Sequence, residues 1–447
     1  MPSLSTAFAE NGAATLPLLT LGAAAGEPLF WRGGQSVTRG RFAAGVLQLA
    51  EQLPDKAYAI NLCDDRLAFC TALAAAALRG IVTLLPPSSG AAGLAALRLA
   101  YPDSIVLSDT PGSEYCVPQT APETEILVLP EILADRAIAI VFTSGSTGQS
   151  QPHLKTWRAL YQAGALIGQR LLAEFGRTQI VATVPLQHMY GLETTALLPL
   201  AAGHATFCGR PVFPDDVRAA LASVPAPRIL VTAPVHIRAL LNAGTRLPPL
   251  AGIVSATAPL PPELAAQAEQ AYATEVREIY GCTEAGSIAS RRTVAGPRWR
   301  LLDAMHLDHE GGQTRVIGAH LPAPVPLHDL LEVDGDGFHL LGRASDLLKV
   351  GGRRASLADL TRTLLSIPGV IDGIVFQPES NDGNDILQRP AALVVAPDLS
   401  ESAIMTALAQ LIDPVFLPRP LRKLDALPRN AVGKLPRAVL ERLLAET

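Results

Sequence analysis

The chain has 447 residues, of which 49% are hydrophobic and 17% charged, and its formal charge is −5. That length exceeds a single compact core and predicts a large domain plus a smaller one, while the composition excludes a disordered chain. The acidic balance offers no general attraction to nucleic acid or to anionic membranes.

The first ten residues carry no basic side chain before Glu10, which argues against a secretory signal. Residues 70–86 form the most apolar stretch, but Arg79 and Gly80 interrupt it. It predicts a helix running into a buried strand, because a membrane span needs about 20 uninterrupted apolar residues. Short β-branched runs at 137–142, 180–184, 229–232 and 252–254 alternate with alanine- and leucine-rich helical stretches. This is the α/β pattern, and in open α/β sheets ligands bind off the carboxyl ends of such strands. Asp334-Gly335-Asp336-Gly337 is a strong turn signal. Beyond Gly342 a second unit begins: Ser356 and Asp359 form a capping box for a helix reaching Leu365, stopped by Pro368-Gly369. Strands at 374–376 and 391–395 follow, then a helix from about Ser400 and a basic tail over 419–442. Five cysteines (Cys63, Cys70, Cys116, Cys208, Cys282) without a C-x-x-C pair argue against disulfides or zinc and for a reducing cytoplasm.

Four segments carry chemistry. Thr143-Ser144-Gly145-Ser146-Thr147-Gly148 follows the 137–142 run. Its glycines allow close backbone approach to a polyanion, and its hydroxyls and N–H groups donate to phosphate oxygens. The G-x-x-x-x-G-K-[ST] phosphate loop is absent, and six such residues alone also read as a flexible turn. Tyr280-Gly281-Cys282-Thr283-Glu284-Ala285-Gly286 reads as a loop that places Glu284 to hold Mg²⁺ against a triphosphate, with Tyr280 facing a purine. By itself Glu284 also reads as a solvated carboxylate. Gly342-Arg343, Asp346, Lys349 and Gly351-Gly352 form the third segment. The fourth, 428–437, presents Lys434 between prolines and glycine in a chain with only five lysines. A compact, mobile ammonium suits bridging a carboxylate and an α-phosphate.

Taken in this order, the segments resemble the adenylate-forming superfamily of acyl- and aryl-CoA synthetases, adenylation domains and luciferases, over about 137–437. The resemblance implies a large N-terminal multi-layer α/β domain (1–343) and a small mobile C-terminal α+β domain (344–447). It implies that Thr143, Ser144, Gly145, Ser146, Thr147 and Gly148 bind phosphate, that Ser255, Ala256 and Thr257 contact adenine with Tyr280, and that Asp329 and Arg343 hold ribose. It assigns Thr283 and Lys434 to catalysis, Glu284 to Mg²⁺ and Ser345 to the hinge. Gly351 and Gly352 fall at a pantetheine tunnel, and His188, Tyr190 and Gly191 at the acid pocket.

Three positions depart from the family pattern. Ser150 and Gln151 stand where Pro-Lys is usual, leaving Lys155 as a possible substitute; Leu327-His328 replace Thr-Gly before Asp329; the hinge is serine. With residues 187–193, these look most like small ligases of aryl polyene and xanthomonadin-type pathways. That likeness implies ATP and Mg²⁺ as cofactors and an aryl acid such as a hydroxybenzoate as substrate. As acceptor it implies an acyl carrier protein in preference to CoA, with no nucleic acid and no membrane span. The alternatives are a fatty acyl ligase and a catalytically silent nucleotide- or acyl-binding subunit.

Overall fold

The computed structural model describes residues 14–19, 24–86, 90–126, 128, 131–143, 151–310, 313–343, 347–350, 353–378, 389–429 and 435–446. The chain packs as two compact units, one of residues 1–296, 300–306 and 316–325, the other of 297–299, 307–315 and 326–447.

The first unit is built on two sheets. One has six strands in the order Gln151–Thr156, Ala137–Thr143, Val82–Leu85, Tyr58–Asn61, Ser104–Ser108, Tyr115–Cys116. All neighbours run parallel except the first pair. The predicted helix-to-strand passage is present: a helix over Arg66–Arg79 leads into Val82–Leu85. Asp65 caps the helix by accepting from the Ala68 N–H at 3.1 Å, satisfying a donor the first turn leaves open. Its residues from Arg66 to Leu78 are all buried, so its alanine-rich sequence is the sequence of a helix covered on every side.

The second sheet has a parallel core of Val276–Cys282, Gly252–Ser255, Arg228–Thr232, Gln179–Ala182, Ala205–Phe207 and Pro28–Arg32. The central ones, Gly252–Ser255, Arg228–Thr232 and Gln179–Ala182, are largely apolar and buried, as strands covered on both faces require. Antiparallel strands flank this core, Gln35–Thr38 beside Pro28–Arg32 and Gly286–Arg292 beside Val276–Cys282, the latter pairing in turn with Arg298–Leu301. Arg66 braces one strand end from the helix: its guanidinium donates to the carbonyls of Ala182 (2.9 Å) and Val184 (3.1 Å), and also to that of Gly209.

The second unit is α+β. The Asp329–Asp334 and Gly337–Arg343 strands form a hairpin, with Asp334 opposite Gly337 across the turn expected there. Leu347–Val350 pairs with Arg353–Ser356. Ser356 caps the helix Leu357–Leu365, accepting from the Asp359 N–H, as the capping signal predicted. Three strands, Asp372–Phe376, Ala391–Val395 and Leu421–Lys423, form a sheet with the Glu401–Leu411 helix, which Ser400 caps. Its hydrophobic core includes Leu360, Leu364, Val394, Ile404 and Leu408.

Candidate active site

Four parallel strands of the second sheet, Gln179–Ala182, Arg228–Thr232, Gly252–Ser255 and Val276–Cys282, end side by side. The residues just beyond these ends include most of the predicted site in the first unit, at the place where open parallel sheets bind ligands.

Ser255 ends its strand between Thr232 and Glu278. It is fully buried, and its Oγ has no hydrogen-bond partner among the described residues. A buried hydroxyl without a partner is costly, and a ligand reaching this strand end relieves it. Ala256 is buried beside it, and Thr257 holds φ +78°. Left-handed backbone at a β-branched residue costs about 1–3 kcal/mol and gathers at ligand sites. The predicted adenine segment is therefore both strained and incompletely satisfied, as a nucleotide-binding segment fits.

His188 precedes a short helix, Met189–Leu192, that crosses these strand ends. The Tyr190 hydroxyl donates to the carbonyls of Thr232 (3.2 Å) and Val254 (2.9 Å), tying two strands together, and burial pushes its pKa up. Gly191 lies so close to the Pro185 carbonyl that a Cβ would approach its oxygen to 1.9 Å. Packing alone therefore calls for glycine here. After Leu192 the helix widens into a π turn, Glu193–Leu197, a feature that often marks functional sites.

Tyr280 to Gly286 reads as a loop in sequence, yet only Thr283–Ala285 forms the turn. Residues 280–282 and Gly286 belong to paired strands, with Tyr280 opposite Ala289 and Cys282 opposite Gly286. The strand signal was hidden because the glycines that permit the tight return also read as loop residues. Glu284 sits in that turn with its side chain partly exposed, 34% by area, and the His153 Nε2 lies 3.6 Å from its Oε1. Burial holds the His153 imidazole below its ordinary range, against the pull of Glu284.

The turn is fastened by two buried groups, Lys155, which the sequence reading left open as a substitute for the missing phosphate-segment lysine, and Glu193, which it left without a role. Lys155, on the strand Gln151–Thr156, is buried, and its Nζ donates to the Glu284 carbonyl oxygen at 2.6 Å. Burial lowers its pKa, opposed by Glu193, Cys282 and Glu284. Glu193 is buried, accepting from the Ser287 N–H (3.0 Å) and the Ser287 hydroxyl (2.5 Å). Burial pushes the Glu193 carboxyl up to about 7, against those hydrogen bonds and Lys155. Gly286 between them has φ +78°, and a Cβ there would meet the Glu193 Oε1 at 2.1 Å. Neither contact follows from any local sequence pattern: Glu193 and Ser287 are 94 positions apart and Lys155 and Glu284 are 129 apart.

Among the described residues, no group of three or more His, Cys, Asp or Glu side chains could hold a metal ion. Mg²⁺ in nucleotide sites is held by one or two carboxylates, with phosphate and water completing the octahedron, and the Glu284 carboxylate fits that role. In the second unit, the predicted ribose pair Asp329 and Arg343 are directly opposite in the hairpin ladder. Thr143 is the last residue of its strand, opposite Gln151. Ser144, Gly145, Ser146, Thr147, Gly148, Ser345, Gly351, Gly352 and Lys434 lie outside the described residues. The basic tail differs from its sequence impression. Arg429 pairs with Asp372 at 2.7 Å, Arg437 with Glu441 at 3.0 Å and Arg442 with Glu446 at 3.4 Å, while Arg419, Arg422 and Lys423 have no ion pair among the described residues.

Residues 51–320 match the family model described as AMP-binding enzyme. The chain is similar to the 4-coumarate–CoA ligase of Halorhodospira halophila, 31% identical over 66% of this chain and 73% of that one. It is 25% identical to the 3-hydroxybenzoate–CoA/4-hydroxybenzoate–CoA ligase of Thauera aromatica, over 71% of this chain and 68% of the other. The O-succinylbenzoate coenzyme A synthetase of Bacillus subtilis, solved in complex with AMP, superposes with a TM-score of 0.78 at 20% identity. That match covers 96% of this chain and 98% of the other. The same synthetase in complex with ATP and a magnesium ion gives a TM-score of 0.76, over 93% of this chain and 96% of the other.

Proposed function

Because the chain belongs to the AMP-binding enzyme family, we propose that its strand-end site activates an aryl acid as the acyl-AMP and passes the acyl group to a pantetheine thiol. The observation that carries this reading is the fastened Thr283–Ala285 turn, which presents Glu284 at the end of Val276–Cys282 beside the buried, unsatisfied Ser255 hydroxyl and the strained backbone at Thr257.

In the proposed first half-reaction the substrate carboxylate attacks the ATP α-phosphate in line and pyrophosphate leaves. Ser255, Ala256, Thr257 and Tyr280 hold the adenine, and Thr283 with the 143–148 segment holds the phosphates. Asp329 and Arg343 hold the ribose. Mg²⁺ held by Glu284 supplies charge neutralisation at the phosphate oxygens. Lys434 stabilises the charge that develops between carboxylate and α-phosphate. In the second half-reaction the 344–447 domain turns about Ser345, Lys434 withdraws, and the Gly351-Gly352 segment meets the thiol, which attacks the mixed anhydride and expels AMP.

The hydroxybenzoate and coumarate activity named for two relatives supports an aryl acid. His188, Tyr190 and Gly191, crossing the strand ends, line its proposed pocket. For the acceptor, those same names support CoA. A carrier protein draws support only from Arg419, Arg422 and Lys423, which have no ion pair among the described residues. A reducing cytoplasm fits the five free thiols. Among the described residues no helix is long and apolar enough to cross a membrane.

The test is acid-dependent pyrophosphate release over benzoates, cinnamates and dodecanoate, followed by transfer from the preformed adenylate to CoA or to a holo carrier protein at low and high salt. The expected outcome is release with hydroxylated aromatic acids above that with dodecanoate. ATP binding without release for any acid would establish the silent-subunit alternative, and dodecanoate outperforming every aromatic acid would establish a fatty acyl ligase.

A further inference from the structure

The family's phosphate segment ordinarily continues into a lysine, and here that place is Gln151. The next lysine, Lys155, lies four residues further along the strand, opposite Ala139 rather than at the Thr143 end. At about 3.3 Å per residue that places its Cα roughly 13 Å from the strand end. Its ammonium is buried and donates to a backbone carbonyl. A lysine so placed is a structural anchor for what it touches, and it touches Glu284.

We propose that Lys155 and Glu193 are positioning residues that hold the Thr283–Ala285 turn, at Glu284 and just beyond it at Ser287, and so aim the Glu284 carboxylate at Mg²⁺ and the nucleotide phosphates. This rests on the nucleotide-site reading above and assigns that site its supporting residues. Lys155 holds the turn at the Glu284 carbonyl, and Glu193 holds it at Ser287, the second residue after the turn. A turn joining two antiparallel strands otherwise has freedom to rock about its ends. Two buried anchors at two points of the chain, Glu284 and Ser287, remove that freedom, because both bonds are strong where water is excluded. The close seat of Gly286 against Glu193 leaves no room for the anchor to slide. Glu193 opens the π turn Glu193–Leu197, all of whose residues are buried, and such turns often occur at functional sites. Groups one shell out from a metal ligand commonly change metal affinity or activity by about 10–100-fold when removed.

The test measures binding of a fluorescent ATP analogue to the full chain with and without Mg²⁺, alongside thermal unfolding. Lys155→Met keeps the bulk and removes the donor, Glu193→Gln removes the charge, and the double variant leaves neither charge alone. Glu284→Gln is the reference. The expected result is that Lys155→Met and Glu193→Gln raise the Mg²⁺ concentration needed for the metal-dependent gain in binding about tenfold, while Mg²⁺-free binding stays within about twofold. Equal losses with and without Mg²⁺ would reduce both residues to ordinary core packing and overturn the proposal, as would no change in either. If Glu284→Gln itself leaves the Mg²⁺ requirement unchanged, the metal assignment fails and the clamp falls with it. If Glu284→Gln shifts that requirement and the clamp variants do not, the clamp alone fails. Where Lys155→Met does not fold, the double variant carries the same titration, because removing both charges together avoids stranding one in the core.

Discussion

The two units use charge in opposite ways. In the first, beside its surface ion pairs, a few ionisable groups lie inside the protein near strand ends, fixed to backbone or to a neighbour: Arg66 to three carbonyls, Lys155 to Glu284, Glu193 to Ser287. In the second, the core is apolar and several charges pair along the surface of their own helices, as Arg437 does with Glu441 and Arg442 with Glu446. Burial makes the first set costly to disturb, and exposure makes the second set cheap to lose. A fixed charge shapes a site, whereas the Lys434 charge is proposed to be delivered to one. The contrast is open to direct tests.

The largest effect is expected at Lys434, the charge proposed to be delivered. Lys434→Ala should lower acid-dependent pyrophosphate release a hundred- to a thousandfold, about 3–4 kcal/mol in the barrier, while ATP binding survives. Stopped-flow pyrophosphate detection beside nucleotide titration checks this. Near wild-type adenylation in the variant would remove the lysine from the reaction and with it half of the contrast.

Next comes the fixed set. Arg66→Met removes the donor from the carbonyls of Ala182, Val184 and Gly209 in a fully buried setting. Stranding these acceptors should destabilise the first unit by about 3 kcal/mol, seen as a lower urea midpoint with unchanged slope. A loss no larger than that of a surface arginine would show that water reaches the strand end.

Much of this architecture is legible in the chain, for reasons local to it. The strand at 137–142 announces itself by an unbroken apolar run, and the Leu357–Leu365 helix by Ser356 and Asp359 in capping register. The alanine-rich stretch after Cys70 carries Arg79 and Gly80, which fix its end. The clamp is illegible by the same logic. Its partners are set by sheet register and by a π turn, and no periodicity reports either. Tyr190 is a second case: the resemblance places it at the acid pocket, and that its hydroxyl is engaged by two backbone carbonyls is something only the neighbouring strand ends reveal.

A smaller effect, and a change of sign, is expected with pH. Burial raises the Glu193 carboxyl from 4.5 to about 7, so the folded protein binds that proton more tightly than the unfolded chain does. The stability this contributes is fully present below pH 4.5 and is lost as pH rises toward and through 7, at up to about 1.4 kcal/mol per pH unit. Most buried carboxylates that are stabilised in their ionised form behave the other way. Glu193→Gln should flatten this part of the profile, measured by urea midpoints between pH 5 and 8. An unchanged profile would place the titrating group elsewhere.

The smallest effect is expected on the surface of the second unit. Arg437 opens the last helix, Arg437–Ala445, directly after Pro436, and pairs with Glu441 one turn on. A cation in a first turn opposes the helix dipole, and an arginine placed before its glutamate is the weaker order of such a pair. These terms nearly cancel the attraction, and both side chains remain substantially exposed. Arg437→Ala should therefore change stability by no more than about 0.3 kcal/mol in either direction. The same variant separates two views of the basic tail. If Arg437 is held by Glu441, transfer to a holo carrier protein should keep its rate and salt dependence in the variant. If the tail acts as one docking surface for an acidic partner, transfer should slow at low salt and converge with wild type at high salt. The first outcome would confine any carrier-protein attraction to Arg419, Arg422 and Lys423, whose charge reversal is then the deciding comparison between carrier protein and CoA.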